Sequence, residues 1–156
     1  LASHADESLK IISDISDKEK KILSNFKYKP NKAVIHSDES VMPKNKNAWC
    51  SWNSSLSPDN NENSSVTYWL NQLQNLKIDK NIFLTINSFY EIDQNKVFNE
   101  ISFTHPYYDE NALQNQKNLK SIQNVNNTLF AGSYFGYGFH EDGIKSSIEM
   151  LKTLND

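Results

Sequence analysis

Thr128-Leu129-Phe130-Ala131-Gly132-Ser133-Tyr134-Phe135-Gly136-Tyr137-Gly138-Phe139-His140-Glu141-Asp142-Gly143 reads as a short apolar strand over 128–131, a glycine-aromatic turn over 132–138, and the opening of a helix. The chain has four glycines, and all of them stand in this stretch. Glycine permits positive φ and close approach of main chain to a neighbour, so the clustering has a local cause. A helix start adds free N–H groups and partial positive charge, which suit an anion or an electron-rich ring edge. The candidate binding residues are Gly132, Gly136, Gly138, Phe139, His140, Glu141, Asp142 and Gly143. Composition alone fits a tight strand-to-helix turn without a ligand equally well. His140-Glu141-Asp142 reads first as helix capping, with an acid/base cluster as the alternative. The stretch is not the dinucleotide fingerprint: Glu141 stands where a third glycine belongs, and a single helix follows.

That helix, expected over 141–154, carries Ile144, Ile148, Leu151 and Leu154 on one stripe. Upstream, Asp109 caps an expected helix running through Ile122, with Ala112, Leu113, Gln116 and Leu119 near one face. Strands are expected over 33–36, 48–53, 66–70, 82–86 and 101–105, the last stopped by Pro106. Residues 54–65 read as a long exposed loop. At the start, Ser3 caps a short helix to Ile12. Ser16 with Glu19 forms a capping box for a second helix to about Asn25, which turns Ile22, Leu23 and Phe26 inward. The order predicts an α+β fold: a mainly antiparallel mixed sheet with flanking helices, ending in a strand-turn-helix unit. Three segments follow: a helical segment over 1–27, an α+β domain over 28–127, and the strand-turn-helix over 128–156.

A chain of 156 residues, 37% hydrophobic and 22% charged, can bury a real core. A net charge of −3 gives no basic footprint, so no nucleic-acid partner is expected. Cys50 is the single cysteine, which excludes an intrachain disulfide and fits a reducing cytoplasm; between two tryptophans in a strand pattern it reads as a buried, inert thiol. No apolar run approaches the roughly 18–20 residues of a membrane span, and no signal peptide is visible. His36-x-Asp38 has the spacing of half a metal site; without a second pair no metal is expected. His105, before Pro106, reads as a strand-end residue. The abundant asparagine follows no motif and reads as compositional bias. Leu1-Ala2-Ser3-His4 opens without Met, as if cut within an element.

The stretch Gly136-Tyr137-Gly138-Phe139-His140-Glu141-Asp142-Gly143 resembles the carboxy-terminal signature of flavin-containing amine oxidase-like proteins, especially a bacterial group of predicted NAD/FAD-binding proteins. Further stretches resemble the same group in the same order: residues 1–6, residues 31–38, Met42-Pro43 with residues 49–53, residues 66–71, and His105-Pro106. The resemblance implies an incomplete flavoprotein fold: a substrate-side sheet plus the final strand-turn-helix that touches the flavin, with the Rossmann half absent. It implies FAD in the full-length parent and none held by this chain alone. Main chain at Glu141, Asp142 and Gly143 would meet the pyrimidine end of the ring, Gly132 and Gly138 would let the chain pass close to it, and Tyr134, Phe135, Tyr137 and Phe139 would wall the substrate side. Trp52 joins Tyr134 and Tyr137 as a candidate for the substrate pocket. The implied partners are a small-molecule substrate and the missing FAD-binding half. An isolated fragment would cover its bared apolar surface by forming a homo-oligomer. The alternative is a stand-alone module that binds a small molecule or a protein.

Overall fold

The computed structural model describes residues 1–58 and 64–154. The elements are α1 (Ala5–Ile11), α2 (Asp17–Leu23), β1 (Lys27–His36), β2 (Trp52–Leu56), β3 (Ser64–Trp69), α3 (Leu70–Leu73), β4 (Phe83–Ile86), β5 (Val97–Tyr107), α4 (Glu110–Gln116) and α5 (His140–Lys152), with short 3-10 turns between them. The five strands form one sheet in the order β2-β3-β4-β1-β5. Antiparallel pairs set Ala33 opposite Ile86, Thr67 opposite Thr85 and Asn53 opposite Thr67. The fold is α+β, as the order of helical and strand patterns implies.

The chain divides into two compact units, 1–29 with 105–154 and 30–104. It leaves the first within β1 and returns to it within β5. The first unit is mainly helical. Its core gathers Ala5, Ile22, Leu23, Phe26, Ala112, Leu119, Ile122, Phe130 and Tyr134. The capping box of α2 forms as read: the Ser16 hydroxyl accepts from the Glu19 N–H, and Glu19 accepts from the Ser16 N–H at 2.8 Å. This fixes the entry angle that points Ile22, Leu23 and Phe26 inward. The second unit is built on the sheet, and its core gathers Val34, Val41, Met42, Phe83 and Ile92, with Trp49, Trp69 and Val97 against them.

Several boundaries differ from the sequence reading, each for a local reason. The first helix is capped at His4 instead of Ser3, whose hydroxyl meets that of Ser8 at 3.0 Å. The expected strand over 48–53 begins only at Trp52. The Asn53 side chain holds both the N–H and the C=O of Cys50 (3.1 and 2.6 Å), so the chain is still turning there. Cys50 is consequently exposed, contrary to the buried thiol expected. Ser54–Leu56 and Ser64–Ser65, read as loop, are paired strand, and residues 59–63 of that loop lie outside the described residues. Pro106 does not stop β5, because β5 is an edge strand, where a missing donor is tolerated.

The helix capped by Asp109 ends at Gln116, and a separate 3-10 turn carries Leu119 and Ile122 into the core. Leu113 is left exposed. The expected strand over 128–131 is absent as an element. What remains is an isolated bridge from Val125 to Thr128 and a pairing with Leu1: the Leu1 amine donates to the Leu129 carbonyl (2.6 Å), and the Ala131 N–H donates to the Leu1 carbonyl (2.9 Å). One residue bonded to both neighbours of the residue opposite is the pattern of parallel strands. The asparagines also have a structural use. Every non-glycine residue with positive φ among the described residues is asparagine: Asn75, Asn87, Asn124, Asn126 and Asn127. In a chain poor in glycine, asparagine supplies the left-handed turns.

Candidate functional site

The candidate residues of 132–143 form one structure inside the first unit. Ser133–Phe135 is a 3-10 turn, Gly136–Gly138 reverses the chain, and α5 starts from a cap at Phe139. The exposed N–H groups of this reversal need acceptors, and the inward face of α5 supplies them. Asp142 accepts from the Tyr137 and Phe139 N–H groups at 2.9 and 3.0 Å. The buried Ser146 hydroxyl accepts from the Gly132 N–H at 2.9 Å and donates to the Gly143 carbonyl at 2.7 Å. From the other side, Gln116 donates to the Tyr134 and Gly136 carbonyls, and the Tyr108 hydroxyl donates to the Ser133 carbonyl at 3.3 Å.

Satisfying the turn with its polar face leaves α5 facing opposite to the sequence expectation for an amphipathic helix. Ile144, Ile148, Leu151 and Leu154 are 57%, 52%, 52% and 56% exposed, while Ser146 is buried. Asp142 is a capping acid at the third position of the helix, and Glu141 pairs with Lys145 at 3.9 Å on the surface.

Three of the four glycines are required by internal contacts. A Cβ at Gly132 would lie 2.6 Å from the Tyr134 ring, and one at Gly136 would overlap the Asp142 carboxylate. Gly138 has φ +93°, and a Cβ there would stand 2.9 Å from the Tyr108 hydroxyl. Gly143 differs: its nearest neighbour for a Cβ is the Ser133 nitrogen at 3.9 Å, ordinary contact. It also lines a groove of about 410 Å³ with Ser133, Gly138, Phe139, His140, Ile144 and Ser147. The N–H groups of His140 and Glu141, at the first turn of α5, have no acceptor among the described residues. Tyr137 and Phe139 are 76% and 68% exposed.

Of the residues read as a substrate wall, Tyr134 is sealed in the core of the first unit, and burial pushes its hydroxyl well above the usual phenol range. Trp52 lies in the second unit, on the outer strand of the sheet, edge-on to Tyr68 and largely exposed. His36 and Asp38 are buried in the second unit and fully engaged. The Asp38 N–H donates to His36 Nδ1 (3.1 Å), so the ring proton sits on Nε2 and is donated to Thr85 Oγ1 (2.8 Å); that hydroxyl meets Thr67 Oγ1 at 2.9 Å. Burial pushes the Asp38 carboxyl up, but the N–H groups of Asp93 and Ser40 and the Lys96 ammonium outweigh it and hold the group well below the usual carboxylate range. No cluster of three or more His, Cys, Asp or Glu suited to a metal ion occurs among the described residues, nor does a helix long and apolar enough to cross a membrane. The sequence reading did not anticipate Ser146 and Gln116, whose roles come from distant parts of the chain.

The arrangement offers a shallow, partly apolar groove at a helix start, lined by Phe139, His140 and Gly143, with the open N–H groups of His140 and Glu141 in the same first turn. Comparison with protein-family models and with curated proteins finds no match to this chain.

Proposed function

We propose that this chain is the carboxy-terminal, substrate-side part of an FAD-dependent oxidoreductase of the amine oxidase-like type, and that the groove beside Gly143 is where its main chain meets the flavin. The carrying observation is Gly143 itself. A glycine inside a helix costs about 1 kcal/mol relative to alanine. The other three glycines have internal neighbours that exclude a side chain, and Gly143 has none. A helix residue kept bare on its groove side suits close approach by something outside the chain.

The residues present fit the pyrimidine end of an isoalloxazine. The N–H groups of His140 and Glu141 would donate to it, Gly143 would leave room for it, and Phe139 would lie at its border. When bound, the flavin supplies hydride acceptance. The helix start favours the negative charge that accumulates on that end of the ring. A cytoplasmic setting and a small-molecule substrate belong to this proposal.

The test is amide shift mapping of the chain in a large excess of FAD, where a contact too weak to hold the cofactor still registers. Perturbation should concentrate at His140, Glu141 and Gly143 and disappear in Gly143→Leu. Shifts scattered elsewhere, or unchanged in that variant, would defeat the reading. The reading frame upstream of Leu1 should also encode a Gly-x-Gly-x-x-Gly after an apolar strand.

A further inference from the structure

The outward face of α5 has a charge pattern that selects its own partner. The stripe Ile144, Ile148 and Leu151 runs along the helix, each residue more than half exposed. At 100° per residue, the charged residues Glu141, Lys145, Glu149 and Lys152 all fall on one flank of that stripe, while Gly143 and Ser147 fall on the other. When two helices pair antiparallel, like flanks face each other. With the two-fold axis level with Ser147, Lys145 of one copy lies level with Glu149 of the other, and Glu141 lies within one residue of Lys152. Both contacts are attractive, and each occurs twice. Parallel pairing does not bring this flank against itself. The same two-fold sets Ile144 against Leu151 and leaves the two Ile148 side chains beside the axis.

The geometry points to a homodimer of this chain, formed by antiparallel packing of α5 against α5 of a second copy, with the two-fold axis level with Ser147 and Ile148 beside it. The occupant is a second copy because the charge order on the flank is complementary to itself only in reverse. Within one copy these residues are held by weak, exposed pairs, Glu141 with Lys145 at 3.9 Å and Glu149 with Lys152, which can be shared across the axis. Two helices of 13 residues bury less than the roughly 1,600 Å² of a standard stable interface, so the dimer is concentration-dependent. This inference does not depend on the flavin reading, and its readout is mass, not flavin.

Sedimentation equilibrium of the 156-residue chain tests it. The mass should rise from 18.0 kDa toward twice that value, with a dissociation constant on the order of 10–100 μM. Ile148→Glu places two like charges beside the axis and should weaken association by at least about tenfold. The pair Lys145→Glu with Lys152→Glu makes the flank wholly acidic, and Glu141→Lys with Glu149→Lys makes it wholly basic. Each double variant alone should stay monomeric, and an equimolar mixture should dimerise. All substituted positions are on the surface, and unchanged urea unfolding of each variant confirms its fold. A wild-type chain that remains at 18.0 kDa at about 1 mM, a dimer retained in Ile148→Glu or in both charge variants, or a mixture that fails to associate would each overturn the proposal.

Discussion

Acidification should destabilise the second unit through His36, by an amount that its surroundings bound. The ring is fully buried, and both nitrogens are committed: Nδ1 accepts from the Asp38 N–H, and Nε2 donates to Thr85. A second proton on Nδ1 would point at another donor. It would also be charged in a site where burial lowers the imidazole's proton affinity, against the partial opposition of the Asp38 carboxylate. The folded pKa therefore lies below the unfolded value of about 6.5. Between the two values the unfolded chain binds the extra proton and the native chain does not. Stability is then fully present above about pH 6.5 and falls by up to about 1.4 kcal/mol per pH unit below it. From pH 6.5 to 5.0 the His36 contribution is at most about 2 kcal/mol. Urea unfolding at half-unit pH steps measures the slope in the wild type and in His36→Gln, which keeps a donor toward Thr85 but cannot titrate. The variant should be less stable at pH 7.5 and lose less on acidification. An equal slope in the two proteins would refute the argument, because the pH dependence would then arise from other groups.

Three further outcomes follow from the turn and from the displaced strand. Asp142→Ala removes the acceptor for two main-chain N–H groups at the start of α5, and should cost about 1–2 kcal/mol by thermal or urea unfolding, with loss of helical ellipticity. Gly143→Ala should act in the opposite sense, stabilising the fold by about 0.5–1 kcal/mol, since its Cβ meets only ordinary contact. Cys50 should be labelled completely by a maleimide under native conditions, without added denaturant; protection until unfolding would contradict its exposed position.

Short-range chemistry was legible in the chain itself. Ser16 with Glu19, and Asp109 with Ala112, are bonds across three residues, so a capping pattern suffices to find them. The apolar, β-branched run at 82–86 became β4, with Phe83 and Thr85 fully buried, because an alternating buried strand is written in its own side chains. The order of helical segments, then a run of strands, then helical segments again likewise determined the α+β class.

What tertiary structure decided concerns backbone groups satisfied from far away. The sequence marks an apolar stripe on the last helix, but only the turn at 132–138 shows that Asp142 and Ser146 must face inward to supply its acceptors, which turns the stripe to the outside. The glycine cluster is equally visible in both readings of the sequence. Only the positions of Tyr134, Tyr108 and the Asp142 carboxylate separate three glycines required from within from Gly143, which is not. Periodicity identifies a face; the partners of the neighbouring main chain determine which way that face points.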